Sequence, residues 1–111
     1  MKHQHSELQS SAIMKLIFFK SCNINGVSFN DAKSKSRKPD VIDARRMFID
    51  VTYNSFEFIT LRNISNFTGL QHSTVLHHIK KSKDLYAFDM RYIKKLDQLI
   101  EYKNELIKTG F

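Results

Sequence analysis

Cysteine, proline and glycine are scarce in this sequence, and each shortage narrows what the chain can be. The one cysteine, Cys22, excludes an intramolecular disulfide and fits a reducing compartment, so a cytoplasmic protein is expected. A lone thiol of this kind serves more often as a small apolar filler than as a nucleophile. One proline and three glycines leave helices largely uninterrupted and suit a mostly helical chain. Long apolar runs are missing too. The longest near the start, Leu16 to Phe19, is shorter than the apolar region of a signal peptide and far short of a bilayer span, so neither export nor a membrane span is expected. A membrane-surface partner is not expected either, because it would need a large basic amphipathic helix with exposed Phe or Leu, and most Phe here are needed for the core. Acidic residues are the last shortage: eleven Asp and Glu stand against eighteen Lys and Arg, a net charge of +7. Such a surplus favours a polyanionic partner, either nucleic acid or an anionic membrane surface, and charge alone does not choose between them.

What is present is enough for one domain with one modest core, since the chain has 111 residues of which 41% are hydrophobic. Residues 1–10 read as a frayed start and 11–111 as a single all-α domain. A first helix opens after Ser6, with Ile13, Leu16 and Ile17 on one face, and Asn23, Asn25 and Gly26 stop it. Ser28-Phe-Asn-Asp31 reads as an N-cap with an acidic first turn. Lys33-Ser-Lys-Ser-Arg-Lys38 then carries four positive charges in six residues and no apolar side chain, which makes it a loop or extended arm. A solvated linker is the plainer alternative for this run. Pro39 suits the first turn of a helix running to about Asn54, whose inner stripe is Val41, Ala44, Phe48 and Val51. Phe56, Phe58 and Ile59 fit neither helix nor strand periodicity and read as a connector packed on the core.

The sharpest signal lies between Leu61 and Lys81. Leu61 to Thr68 reads as a short helix, Gly69-Leu-Gln71 as a turn, and His72 to about Lys81 as a second helix with Val75, Leu76 and Ile79 inward. Ser65 is small where two helices must approach closely, and Gly69 sits where a tight turn calls for positive φ. Leu70 and Val75 plug the angle between the helices. This is the helix-turn-helix arrangement, whose second helix enters the DNA major groove. Gln71, His72, Ser73, His77 and Lys80 then face outward, mostly near the helix N-terminus, where unpaired N–H groups favour phosphate oxygen. His and Ser are suited to base edges, and Thr74, His77 and Lys80 to phosphates. The plainer alternative is an ordinary helical hairpin with a polar surface. A last helix, Asp89 to Thr109, carries Ile93, Leu96, Ile100 and Ile107 and ends at Gly110.

Ser36-Arg-Lys38, Ala44-Arg45 and His72-Ser-Thr-Val-Leu-His77 resemble, in order and spacing, the C-terminal DNA-binding domain of the bacterial chromosomal replication initiator DnaA. Val27 to Asp31 resembles the stretch that leads into that family's basic loop. The resemblance spans roughly Ser11 to Thr109, and its specific part is Ser36 to Lys81. It implies an all-helical fold that recognises a short A·T-rich box in double-stranded DNA at a replication origin. It further implies that Arg37, flanked by Lys35 and Lys38, enters the minor groove. His72 and Ser73 would face thymine-bearing pairs in the major groove, and Arg45, Thr74 and His77 would hold phosphates. Lys80 and Lys81 complete the expected DNA-binding set. The chain departs from the family at Gln71, where Asp is usual, at Ser73, where Thr is commoner, and in a shorter turn around Gly69. No GxxxxGK[ST] run occurs, so the initiator's nucleotide-binding ATPase portion is not expected here.

Catalysis, a cofactor and a metal are not expected. His72, His77 and His78 do not share one helical face, and no HExxH or Cys–His ligand set exists. General acid–base and Ser-His-Asp chemistry find residue types but no local signature. Two non-enzymatic readings stay open beside replication initiation or its regulation. One is a dimeric transcriptional repressor of phage or plasmid type. The other is an interaction module that uses the last helix for self-association or for a replication-protein partner.

Overall fold

In the computed structural model, which describes residues 7–110, the chain forms six helices and, among those residues, no strand. They are α1 (Glu7–Asn25), α2 (Phe29–Lys33), α3 (Pro39–Ser55), α4 (Leu61–Thr68), α5 (His72–Tyr86) and α6 (Met90–Lys108). The fold is all-α, as expected. Helix α1 begins at Glu7, in agreement with a helix opening after Ser6 and inside residues 1–10 read as frayed, while residues 1–6 lie outside the described residues.

Helix α3 is the hub and packs against each of the other five. Its sequence explains this, because burial takes in a wide face rather than a narrow stripe: Val41, Ala44, Met47, Phe48, Ile49, Val51 and Thr52. A helix with so broad a buried face can pack against neighbours on several sides while its charged residues keep the remaining face. Against it lies α1, through Ile13, Met14, Ile17, Phe18 and Cys22. The two approach closely at Ala44, whose carbonyl accepts the Ser21 hydroxyl at 2.6 Å in the buried interface. Helix α1 ends where expected. Gly26 takes φ +67°, and the Val27 amide reaches back to the Cys22 carbonyl at 3.0 Å, closing the last turn. The connector after α3 is placed as expected: Phe56 and Ile59 are buried, Phe58 packs on the core, and the Ile59 amide bonds to the Phe56 carbonyl at 3.0 Å.

Two expectations about α5 need correction. The helix does not end near Lys81 but continues to Tyr86, so the link to α6 is short. The polar run Ser82-Lys-Asp84 hid the continuation, because Ser82 is a core residue. Its hydroxyl donates to Asp50 Oδ2 of α3 at 2.6 Å and pairs at 2.6 Å with the hydroxyl of Tyr92 of α6. A carboxylate only accepts, so Ser82 gives its proton to Asp50 and takes the Tyr92 hydroxyl as donor. One small hydroxyl thereby joins three helices. Second, Leu76 does not face inward. It is 47% exposed, whereas Val75 is fully buried and His78 takes the half-buried place beside it. Adjacent residues stand 100° apart on a helix, and here the core lies on the Val75 side, which leaves Leu76 turned outward.

Candidate nucleic-acid interface

The site is built from two segments that the hub helix brings together: the basic loop between α2 and α3, and the helix-turn-helix α4–α5. Helix α4 starts with a reciprocal cap in which the Asn63 amide donates to Thr60 Oγ1 at 3.1 Å and the Thr60 amide donates to Asn63 Oδ1 at 2.9 Å. It ends at Gly69, which takes φ +76° while its amide bonds to the Ser65 carbonyl at 2.8 Å. Ser65 is small, and its hydroxyl also donates to the Leu70 carbonyl, so the tight turn is fastened across its own mouth. Ile64 and Val75 are fully buried behind the turn, and Leu70 packs on the same core. The N-cap of α5, Gln71, makes no side-chain cap bond, so it leaves the first-turn N–H groups of α5 uncapped.

The basic loop is folded rather than slack, and its serines do the folding. Ser34 Oγ donates to the Asp31 carbonyl at 2.6 Å and accepts the Ser36 amide at 3.1 Å. Ser36 Oγ in turn accepts the Lys38 amide at 3.3 Å. Hydroxyls that take up backbone N–H groups two residues on are a turn device. Alternating Ser with Lys and Arg therefore yields an ordered loop with Lys35, Arg37 and Lys38 exposed on it. Arg45 of α3 holds the root of the loop, donating from Nε to the Ala32 carbonyl at 2.8 Å and from Nη2 to the Ser34 carbonyl.

Between loop and helix lies an open groove of about 950 Å³. Of the residues singled out from sequence, Lys35, Arg37, Arg45, Gln71, Thr74 and His77 line it. His72, Ser73 and Lys80 are exposed on the same helix outside the groove lining, and Lys38 is exposed at the end of the loop, where it caps α3. Lys81 is placed apart, in a second depression with Asp43, Arg46, Asp89 and Lys95. Among the described residues, no ion pair engages Lys35, Arg37, Lys38, Lys80 or Lys81, so their charge is offered to solvent.

Three contributors were missed or placed differently in the sequence reading. Arg46 reaches the groove wall from α3, with Nη1 4.0 Å from Asp43 and Nε donating to His78 Nδ1 at 3.2 Å. Burial, and then the neighbouring charges led by Arg46, push the His78 imidazole down to about 4, so it stays neutral and acts as the acceptor. Lys33 belongs to α2 rather than to the free loop. Leu76 adds an exposed apolar side chain to the outer surface of α5. Neither the reach of Arg46 nor the inward turn of Lys33 had a local signal, and the outward turn of Leu76 was decided by packing. The three His of the cluster are not gathered, and among the described residues no set of three His, Cys, Asp or Glu side chains converges for a metal. Nor, among those residues, is any helix long and apolar enough to cross a membrane.

Fold and groove together define a class: a small all-helical domain whose helix-turn-helix stands beside an ordered basic loop. The chain is 31% identical over 119 aligned residues to the chromosomal replication initiator protein DnaA of Campylobacter concisus (strain 13826), a match that takes in 99% of this chain. It is 29% identical over 114 residues to DnaA of Aliarcobacter butzleri (strain RM4018), across 98% of this chain. The chain spans 24% of the length of either of these curated relatives. No model of a protein family matches it. The chain is thus similar to a part of DnaA, in keeping with the resemblance of its helix-turn-helix segment to the C-terminal DNA-binding domain of that family.

Proposed function

We propose that this chain binds double-stranded DNA sequence-specifically, without catalysis, and serves replication initiation or its regulation in association with the nucleoid. Helix α5 lies in the major groove, where His72 and Ser73 face base edges and the exposed Leu76 meets thymine methyl groups. The basic loop lies in the adjacent minor groove, where Arg37 senses the narrow width and negative potential of A·T pairs. Arg45, Thr74, His77 and Lys80 hold phosphates, as do the uncapped N–H groups of α5. Lys35, Lys38 and Lys81 add to the cationic field, and Gln71 replaces an acceptor-only carboxylate with an amide that both donates and accepts.

The observation that carries this reading is the convergence of Lys35 and Arg37 with Gln71, Thr74 and His77 on one groove. Two readers on neighbouring segments match two neighbouring DNA grooves. Selection of bound fragments from random duplex DNA tests it. The expected outcome is a short asymmetric A·T-containing site whose affinity falls by about 0.9 log units per log unit of salt for each phosphate contacted. Palindromic sites would favour a dimeric regulator instead. Failure to enrich any duplex would overturn DNA binding and leave an interaction module using α6. Arg37→Ala is expected to weaken binding to the selected site and to relax its A·T preference.

A further inference from the structure

Lys33 opens the run of positive charge, yet its head group points back into the protein. It donates to the carbonyl of Phe67, in the last turn of α4, where helix carbonyls lack intrahelical partners and the helix end is negative. The same ammonium lies 4.0 Å from the centre of the Phe67 ring, 5.9 Å from Phe18 and 6.0 Å from Phe29, which is within cation–π range of all three. These rings do not wander. Phe18 stacks edge-on against Phe29, Phe48 and Phe67 with centroids 5.2, 5.1 and 5.5 Å away, and Phe18 and Phe48 are buried. Burial, then the nearby charge of Lys15, lowers the Lys33 ammonium from its ordinary value, as befits a cation partly withdrawn from water.

The position of this contact gives it a consequence. Gly69 follows α4 immediately and leads into α5, while Ser34 follows Lys33 immediately and leads into the loop. Lys33 thus bolts the root of the loop to the helix-turn-helix, as Arg45 bolts it to α3 through Ala32 and Ser34. We infer that Lys33 is a positioning residue that fixes the span and direction between the basic loop and α5, so that both enter their DNA grooves at once. The inference rests on the DNA-binding reading above. A two-part reader held at the correct span loses less freedom on binding than one whose parts must find each other on the DNA.

The test uses the full chain with Lys33→Met, which keeps an unbranched side chain able to lie on the rings, Lys33→Arg, which keeps the cation, Arg37→Ala, and the double variant Lys33→Met/Arg37→Ala. Lys33→Met is expected to weaken binding to the selected duplex by about tenfold, and Lys33→Arg to recover most of it. The Arg37→Ala loss should shrink several-fold in the Lys33→Met background, because a loop already adrift has less to lose. Losses that simply multiply would make Lys33 an independent phosphate contact and overturn the inference. A second readout needs no DNA. Heteronuclear NOE values for backbone amides 35–38 should fall in Lys33→Met while those of α3 hold. Unchanged loop values would overturn the inference, and a wild-type chain that binds no duplex would overturn the DNA-binding reading while the NOE comparison still decides the role of Lys33.

Discussion

Nδ1 of His78 accepts the Nε–H of Arg46 at 3.2 Å, and this bond ties α5 to the hub helix α3. It requires a neutral imidazole, and the pH dependence of stability follows. His78 is pushed from its ordinary value of 6.5 down to about 4, so the unfolded chain takes up a proton that the folded chain refuses. The contribution is fully present above 6.5 and is lost as pH falls through that window toward 4. A single proton limits the slope to about 1.4 kcal/mol per pH unit. Thermal melts from pH 7 to pH 4 should show a falling midpoint in the wild type and a shallower fall in His78→Gln. Parallel curves for the two proteins would show that His78 is not the group responsible.

Val75 and Leu76 are neighbours on one helix with opposite roles. Val75→Ala empties a fully buried site and should destabilise the chain by about 2 kcal/mol, combining lost transfer energy with a cavity. Leu76→Ala trims an exposed side chain and should stay within about 0.5 kcal/mol of the wild type. Denaturant titrations of both variants check this. Leu76→Ala should nonetheless weaken DNA binding, since its exposed side chain lies on the face proposed to meet thymine.

His72 is exposed at the start of α5 and is proposed to read a base edge. His72→Ala should cost about 1–3 kcal/mol on the selected duplex and little on random duplex. Lys80→Ala, proposed at a phosphate, should weaken both duplexes alike and lower the salt slope by about one. Equal losses on both duplexes for His72→Ala would reduce it to a phosphate or structural residue.

Cys22 is 3% exposed, and burial pushes its thiol up to about 11. Little thiolate exists at neutral pH, and what forms has no route to solvent in the folded chain. Labelling by a thiol reagent at pH 8 should therefore be slow without denaturant and should rise in step with unfolding. Rapid labelling of the native chain would contradict this packing.

Much of the fold was legible before any coordinates. The bounds of α4 agree with the sequence reading residue for residue: Gly69 marks its end by local chemistry, while the Thr60–Asn63 cap at its start emerged only in the structure. The break at Gly26 and the start at Pro39 were legible for the same reason. The end of α5 was not, since Ser82 and Asp84 look like loop residues unless Asp50 and Tyr92 are known to meet Ser82. The candidate site divides in the same way. Its exposed members follow from helical periodicity once Val75 is turned inward. Arg46 and Lys33 do not, for their partners lie 32 and 34 residues away in the chain.

By itself, then, the sequence determined the helical class, the cationic surplus, the capped turn of the helix-turn-helix and the presence of a basic loop beside it. These depend on interactions within a few residues, which side-chain type and spacing control. Only the tertiary structure decided which charges are free to meet a partner. Arg37 and Lys33 stand four residues apart in one basic run, yet Arg37 faces the groove while Lys33 is drawn onto Phe67. The physical reason is that a cation goes to whichever carbonyls and ring faces the packed helices bring within reach, and in this chain the packing around α3 selects them.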